Sequence, residues 1–273
     1  VLDFAREASR RGHVVAALVH RGLMRTPVRG VKSLFHGGRT CDVGAAVDAV
    51  YCAIGGPDNP AAKVCVVGFS MGAITAAKFA ALAGKYHFTN CAACVAVSGC
   101  LAVSTILGPC GDRSRRVWQP PLAANLKQTF FAPARDKFRA RLRSSDNTNN
   151  IDAKRTFDLD DAERRVRSAR TVDEFDAAFV CPLNGLPNLE AYYDLVSAAG
   201  DGGPRAVAAF GDALRVPLLV LHARDDPITP FEALHHDACA RASDHVLFLL
   251  TDIGGHVGWP IHTSSSKNGG GRW

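Results

Sequence analysis

Three motifs of the chain hold the residue types that catalyse acyl transfer. Ser70 lies in GFSMG (68–72), two adjacent aspartates lie in HARDDPITP (222–230), and His256 lies in TDIGGHVGW (251–259). A serine hydroxyl attacks a carbonyl carbon when a histidine takes its proton and a carboxylate orients that histidine. The order serine, aspartate, histidine along the chain therefore predicts nucleophilic catalysis.

These motifs are positioned by an alternation of predicted strands and helices. Short apolar runs rich in β-branched residues indicate strands at 13–20, 64–67, 92–97, 216–223 and 245–250. Helical spacing indicates helices at 42–54, 71–82 and 231–242. Strands separated by helices predict a parallel sheet with helices on its faces, and reactive groups collect at the carboxyl ends of such strands. Each of the three motifs lies at the end of a predicted strand.

Ser70 lies where a predicted strand turns directly into a predicted helix. Such a turn strains its corner residue, and small residues on both sides, here Gly68 and Gly72, avoid clashes across it. The amide N–H of Met71 would then face the oxygen that becomes negative during attack. An ordinary turn serine is the alternative, but the setting between strand and helix favours a nucleophile.

The acid and the base are chosen by their positions at later strand ends. Asp226 is favoured over Asp225 because it directly precedes the proline turn, from which its side chain can point back across the sheet. The alternative is that one or both aspartates cap the helix predicted to begin near Pro230. Of the ten histidines, His256 alone follows a strand end after both Ser70 and Asp226. It is therefore predicted to be the general base rather than a structural loop residue.

The composition of the chain indicates a globular protein without a membrane-spanning segment. The chain has 273 residues, of which 47% are hydrophobic and 21% are charged, a balance typical of globular domains. No apolar run approaches the roughly 20 residues that span a bilayer. Nine cysteines, several of them in apolar runs, favour a reducing, intracellular compartment. The CAAC sequence at 91–94 is interpreted as core packing rather than as half of a metal or redox site, and no metal or cofactor is predicted.

The middle of the chain departs from the strand–helix alternation. We expect residues 1–100 and 213–273 to form two parts of one α/β core, and residues 101–212 to form an inserted helical cap, or lid. The insert holds the basic runs RSRR, RDKFRARLR and ERRVRSAR, with Phe138 and Leu142 on one helical face. A solvated cap with an apolar underside is the favoured interpretation, and peripheral contact with anionic lipid surfaces is the alternative. Nucleic-acid binding is set aside because acids alternate with the arginines and no recognition module is present.

Four motifs together resemble one family. VHRG (19–22), GFSMGA, ARDDPITP and GGHVGW are similar to segments of the YheT-type, embryogenesis-associated branch of the α/β-hydrolases, which also contains membrane-anchored abhydrolase-domain lipases. The resemblance implies an α/β-hydrolase fold, with a mostly parallel sheet flanked by helices and a helical lid insert. It also implies a serine esterase or lipase that acts without a cofactor on acylglycerols, phospholipids or simpler esters. Its triad would be Ser70, Asp226 and His256, with the Met71 amide in the oxyanion hole.

Two departures from that family shape the remaining expectations. The family begins upstream with further strands and a His-Gly loop that supplies a second oxyanion amide, and it continues into a closing helix. We therefore expect a fragment that lacks the first strands and the last helix, with any membrane anchor in a missing N-terminal segment. Loss of one oxyanion donor would weaken its activity, and the triad alone leaves open how active the fragment is. The alternatives to a hydrolase are an acyltransferase that uses the same acyl-enzyme, and an inactive binding protein on the same fold.

Overall fold

The computed structural model describes residues 2–26, 34–83, 90–107, 116–144 and 157–259. The chain divides into two compact units. The first comprises Val1–Ala62 and Pro109–Val196, and the second comprises Lys63–Gly108 and Ser197–Trp273. None of the helices in the described ranges is long and apolar enough to cross a bilayer. The predicted division at residues 100 and 212 stays a prediction.

The described residues form eleven α-helices and several shorter helical turns. In chain order the α-helices are α1 (Leu2–Arg10), α2 (Thr40–Ala53), α3 (Met71–Ala83), α4 (Gln119–Leu126), α5 (Ala132–Ser144), α6 (Leu159–Ser168), α7 (Val172–Phe175), α8 (Cys181–Asn184), α9 (Leu189–Val196), α10 (Pro204–Ala213) and α11 (His236–Ala242). Two π-helical turns span Lys127–Phe131 and Asp176–Val180, and three 3-10 turns span Gly56–Asp58, Val103–Leu107 and Phe231–Leu234.

A four-stranded parallel sheet is the centre of the second unit. Its strands are β1 (Val64–Phe69), β2 (Cys91–Val97), β3 (Leu218–Ala223) and β4 (Val246–Thr251), and they lie side by side in chain order. Four of the five predicted strands are therefore confirmed. None of the six residues of β3 is exposed, and Leu218 and Val220 are buried, as expected of a parallel strand that lies between two others and is covered on both faces.

The register of the sheet aligns the carboxyl ends of its strands. Phe69 of β1 pairs with Val97 of β2, Val97 pairs with Leu221 of β3, and Leu221 pairs with Leu249 of β4. The turns that follow all four strands consequently leave from one edge of the sheet. Ser70, Asp226 and His256 are all in those turns, so the topology brings three distant segments of the chain to one place.

Helix α3 packs directly against the sheet through small residues. Its inner face is built mainly from alanines, and Ala73, Ala76, Ala77 and Ala80 are fully or almost fully buried. A Cβ atom added at Gly99, just after β2, would lie 2.5 Å from the Cβ of Ala73. Glycine at this position therefore allows the helix that follows Ser70 to pack directly against the end of the neighbouring strand.

The prediction of a buried strand at residues 13–20 is wrong. The structure assigns no strand to this segment, and Val14 is 78% exposed. Four apolar side chains are exposed here: Val14, Val15, Leu18 and Val19. A β-branched run has the propensity for a strand, but a strand also needs a partner with which its amides and carbonyls can pair. None of the described strands provides that partner for this run.

The helix predicted at 231–242 is interrupted. The structure forms the 3-10 turn Phe231–Leu234 and then α11, and His235 between them has a positive φ of 45°. A non-glycine residue in the left-handed region cannot continue a right-handed helix. The periodicity of the apolar residues is unchanged across this break, so the sequence pattern predicted one helix.

The first unit has a core of phenylalanines in its helical part. The ring centroid of Phe179 lies 4.9 Å from that of Phe131, 5.9 Å from that of Phe175 and 6.0 Å from that of Phe130. Edge-to-face packing of this kind adds to the free energy gained by burying the rings. All regular structure in the described part of residues 101–212 is helical, which is what the sequence predicted for this region.

Two arginines of α5, Arg135 and Arg139, are paired with a carboxylate within the first unit. Arg135 and Arg139 lie 3.2 and 2.7 Å from the carboxylate of Glu163, and Arg167 of α6 lies 2.8 Å from it. Phe138, on the same helix, is buried. These contacts support the solvated-cap interpretation of the basic insert, because three of its described arginines share an internal carboxylate partner. Contact with anionic lipid stays a prediction, and the side chain of Leu142 lies outside the described residues.

A buried carboxyl group in the first unit gives a testable dependence of stability on pH. Burial, with a smaller contribution from the nearby Asp173 carboxylate, raises the pKa of Asp176 to about 8, although a hydrogen bond from Tyr193 opposes the shift. A carboxyl group that keeps its proton in the folded state but loses it on unfolding destabilises the fold increasingly from about pH 4 up to about pH 8.

We therefore expect Asp176→Asn to stabilise the protein by roughly 2–4 kcal/mol at pH 8 and by much less at pH 5. Asparagine has the same size and no charge to bury. Thermal unfolding at both pH values measures the difference. The matched control is Asp160→Asn, since the Asp160 side chain is 79% exposed and its replacement should change the melting temperature little at either pH. Equal effects of Asp176→Asn at pH 5 and pH 8 would contradict this account.

Candidate active site

Ser70 lies at a strained corner between β1 and α3. Its φ is +54°, and such a conformation costs about 1–3 kcal/mol for a residue other than glycine. Its amide donates to the carbonyl of Val97 at 2.9 Å, and its own carbonyl accepts from the amides of Ala73 and Ile74. The residue thus ends the β1–β2 ladder and begins the helix at once, which turns its side chain out from the end of the strand.

The two glycines that flank Ser70 are not equivalent. A Cβ atom at Gly68 would lie 2.0 Å from the carbonyl oxygen of Gly72, closer than atoms can approach. A Cβ atom at Gly72 would have no described atom within 4 Å. The prediction that both positions must be small is therefore right for Gly68 and wrong for Gly72, because only the Gly68 Cβ direction points across the turn.

His256 bridges the serine and the acid. Its Nε2 lies 2.8 Å from Ser70 Oγ, and its Nδ1 lies 2.9 and 3.1 Å from the two carboxylate oxygens of Asp226. A nitrogen that faces a carboxylate carries the proton, so the neutral ring is the Nδ1–H tautomer. The Nε2 lone pair then accepts the hydrogen bond from the Ser70 hydroxyl. This is the arrangement in which an imidazole can remove the hydroxyl proton.

The environment of Asp226 keeps it ionised. Its side chain is fully buried, and its Oδ1 accepts hydrogen bonds from the amides of Ile228 and Thr229, both at 2.9 Å. Burial by itself raises the pKa of Asp226, but the hydrogen bonds from His256 and from the backbone outweigh it, and the net pKa is below its ordinary value. The stability that this carboxylate contributes is present above its ordinary pKa and is lost as the pH falls through the lowered one.

The two neighbouring aspartates have different partners. Asp225 Oδ1 accepts from the amides of Gly254 and Gly255 at 2.9 and 2.7 Å, so it holds the backbone of the loop that carries His256. Asp226 contacts the imidazole ring itself. Neither side chain caps the 3-10 turn at Phe231–Leu234, whose N-cap residue is Pro230. The structure therefore places Asp226, which the sequence favoured, beside His256.

The amide of Met71 is available at the start of α3. The first amides of a helix have no partner inside it and carry the positive end of the helix dipole. Met71 is the first residue of α3, directly after Ser70, so its N–H is suited to stabilise a negative oxygen bound beside the serine. Its role in an oxyanion hole, and the absence of a second donor, stay predictions.

Two polar residues near His256 were missed by the sequence reasoning. Ser98, the residue after β2, is completely buried, and Thr229 is 5% exposed. Their hydroxyls contact the backbone after His256 and the Asp226–His256 pair, respectively. The sequence offered only the positions of these two residues as a signal. Ser98 follows a strand end beside that of Ser70, and Thr229 lies three residues after the acid.

No candidate metal site occurs in the described ranges, where no three residues of the ligand types histidine, cysteine, aspartate and glutamate converge suitably. The CAAC cysteines lie in β2, where Cys91 and Cys94 are buried with their sulfur atoms 3.7 Å apart. Their burial agrees with the interpretation of this sequence as core packing.

The parallel sheet, the strained serine between strand and helix, and the order of the strand ends define an α/β-hydrolase fold. The profile described as Alpha/beta hydrolase family matches residues 5–264. The chain therefore belongs to the α/β hydrolase family, which confirms the fold class and the resemblance drawn from the motifs.

Curated relatives are similar over part of the chain. It is 32% identical over 101 residues to monoacylglycerol lipase of Saccharomyces cerevisiae, covering 36% of this chain and 19% of that protein. It is 28% identical over 95 residues to medium-chain fatty acid ethyl ester synthase/esterase 2 of the same yeast, covering 35% and 19%. The matched stretch spans about a fifth of each relative. Among solved structures, the monoacylglycerol lipase of Paleococcus ferrophilus is 16% identical, with a TM-score of 0.45 and coverage of 93% of this chain and 79% of that one.

Proposed function

We propose that this chain is a serine carboxylic-ester hydrolase that acts on lipid esters such as acylglycerols through an acyl-enzyme at Ser70. The observation that carries the proposal is the continuous contact from Ser70 Oγ to His256 Nε2 at 2.8 Å and from His256 Nδ1 to Asp226 at 2.9 Å. The family and the esterase and lipase names of the relatives support the reaction class.

The reaction would proceed in two balanced halves. In the first, Ser70 Oγ bonds to the ester carbon while its proton passes to His256 Nε2, and the carbonyl oxygen becomes negative beside the Met71 amide. The bond to the alcohol then breaks, and the proton on Nε2 goes to the departing alcohol. In the second half, water attacks the acyl-enzyme and gives its proton to His256, which returns it to Ser70 as the acid leaves.

Asp226 would act through His256 in both halves. A buried carboxylate that accepts the Nδ1–H bond keeps the Nε2 lone pair directed at Ser70 and stabilises the imidazolium when Nε2 is protonated. The depressed pKa of Asp226 means that the carboxylate is ionised throughout the neutral range. Two backbone amides hold this carboxylate, so its orientation does not depend on His256 alone.

Labelling with a fluorophosphonate probe tests the proposal. We expect the wild-type chain to be labelled at Ser70, identified by mass spectrometry of the labelled peptide, and Ser70→Ala to be unlabelled. The matched control is Ser243→Ala. Ser243 lies between α11 and β4, at the opposite end of the sheet, and its replacement should leave labelling unchanged. A folded wild-type chain that stays unlabelled would contradict the proposal and favour a binding protein on the same fold.

An acyltransferase on the same triad is the second candidate, because one relative is named both synthase and esterase. The two activities share the acyl-enzyme and differ only in whether water or an alcohol attacks it. Turnover of a medium-chain monoacylglycerol with and without added ethanol separates them. Free fatty acid as the main product in both conditions supports the hydrolase, and ethyl ester as the main product supports the transferase.

A further inference from the structure

Thr229 is the point where the acid, the base and the end of β2 meet. Its hydroxyl oxygen lies 3.1 Å from the carbonyl oxygen of Ser98, 3.2 Å from Asp226 Oδ2 and 3.2 Å from His256 Nδ1. Its amide donates to Asp226 Oδ1. Its carbonyl oxygen lies 3.0 Å from Nε2 of the fully buried His222, which is therefore the donor in that bond. The amide nitrogen, the carbonyl oxygen and the hydroxyl oxygen of Thr229 therefore each lie within hydrogen-bond distance of a partner.

The Thr229 hydroxyl can donate only one hydrogen bond, and this limit determines the role of each of its contacts. The hydroxyl has one proton and three polar neighbours. His256 Nδ1 already carries a proton for Asp226, so it has no lone pair with which to accept from Thr229. The hydroxyl must donate to the Ser98 carbonyl or to Asp226 Oδ2, and its oxygen lone pairs then face the Nδ1–H group. Thr229 thus favours the same tautomer and ring orientation that Asp226 does.

Ser98 holds the backbone on the other side of the ring. Its hydroxyl oxygen accepts from the amide of Val257 at 3.0 Å, and Val257 directly follows His256. Val257 has a φ of +61°, which is strained for a β-branched residue and persists only where its surroundings enforce it. Because Ser98 is completely buried, its hydroxyl accepts this hydrogen bond without competition from bulk water. The Ser98 hydroxyl is therefore a support for the strained turn that carries His256.

We propose that Thr229 and Ser98 are positioning residues that fix the imidazole of His256 between Ser70 and Asp226, Thr229 through the ring and Ser98 through the backbone of Val257. The inference rests on the proposed function for its effect on rate. Its geometric part concerns His256 alone and is measurable whether or not an ester is turned over.

The central variant is Thr229→Val, which removes the hydroxyl but keeps the shape of the side chain, and its matched control is Thr229→Ser, which keeps the hydroxyl. With a soluble nitrophenyl ester we expect kcat of Thr229→Val to fall about tenfold with KM unchanged, the size expected for one lost buried hydrogen bond. Thr229→Ser should retain at least about a third of the wild-type kcat. Equal losses in Thr229→Val and Thr229→Ser would overturn the inference, since methyl packing and not the hydroxyl would then be responsible.

Ser98→Gly provides a second, independent variant. Ser98 has a φ of +52°, a conformation that glycine adopts without strain. The substitution therefore removes the acceptor of the Val257 amide hydrogen bond without disturbing the backbone at residue 98. We expect kcat about three- to tenfold lower, again with KM unchanged. A cooperative thermal transition, recorded for each variant, establishes that it folds. If Ser98→Gly folds with a wild-type kcat, the role of Ser98 is refuted.

A spectroscopic readout separates the inference from the proposed function. The downfield Nδ1 proton resonance of His256, assigned by its absence in His256→Ala, should exchange with solvent at least about threefold faster in Thr229→Val and Ser98→Gly than in the wild type. Unchanged exchange in both variants would overturn the inference. A wild-type chain that is unreactive to fluorophosphonate but shows the faster exchange in the variants would contradict the proposed function and uphold the positioning roles.

Discussion

Replacing His256 with alanine is expected to lower kcat for ester hydrolysis by about 10⁴- to 10⁶-fold. A serine hydroxyl is a weak nucleophile unless its proton can leave, and His256 Nε2, 2.8 Å from Ser70 Oγ, is the proposed base. KM should change little, because the ring is engaged with Ser70 and Asp226 rather than with a part of the substrate remote from the reaction. Steady-state kinetics with a nitrophenyl ester measures both constants.

The double variant Ser70→Ala/His256→Ala makes this expectation sharper. Groups that act as one unit lose almost their whole effect when the first is removed, so the second substitution should lower kcat no further. Asp226→Asn is expected to cost about 10⁴-fold, since an amide in place of the carboxylate no longer enforces the Nδ1–H tautomer. Losses that simply multiply between Ser70→Ala and His256→Ala would show that the two residues act separately, contrary to their direct contact.

Gly68→Ala is expected to destabilise the protein by about 3 kcal/mol or more. The new Cβ would lie 2.0 Å from the carbonyl oxygen of Gly72 and 2.7 Å from the amide nitrogen of Ala73. Both are backbone atoms at the start of α3, so no rotamer change can relieve the clash. Either α3 moves away from the sheet or the strained turn at Ser70 opens, and each change separates Ser70 from His256.

Gly72→Ala is the matched control for this prediction. It introduces the same methyl group four residues later, where no described atom lies within 4 Å, and inside α3, where alanine is favoured over glycine by about 0.5–1 kcal/mol. Urea denaturation should therefore move the two midpoints in opposite directions relative to the wild type. If Gly68→Ala and Gly72→Ala shift the midpoint equally, the close approach of residue 68 to the start of α3 does not limit stability.

The sheet and the meeting of Ser70, Asp226 and His256 at its edge were predictable because the deciding signals are local. β1, β3 and β4 begin and end within two residues of the predicted runs, and α3 was predicted to within one residue. Ser70, Asp226 and His256 each follow a strand, and a parallel sheet gathers its carboxyl ends whatever the lengths of the connections. The prediction needed no knowledge of packing between distant segments.

The remaining features depend on contacts that no local pattern contains. Whether residues 13–20 become a strand depends on a partner elsewhere in the chain, and the break at His235 depends on one backbone angle. The roles of Ser98 and Thr229 depend on how the turn after β2 meets the turn after β3. Gly68 and Gly72 look equivalent in GFSMG, and only the direction of each Cα–Cβ bond in three dimensions separates them.

The order of the strands determines when, during synthesis, Ser70 can meet its proposed general base. The strands lie side by side in chain order, and domains fold from the N-terminal side during synthesis. The segment that contains β1, α3 and β2 is therefore synthesised long before Asp226 and His256. Ser70 and His256 are 186 residues apart, and contacts of such long range form slowly. A nascent chain therefore holds the Ser70 hydroxyl without its proposed general base, and the proposed capacity to attack esters would arise only when β4 has joined the sheet.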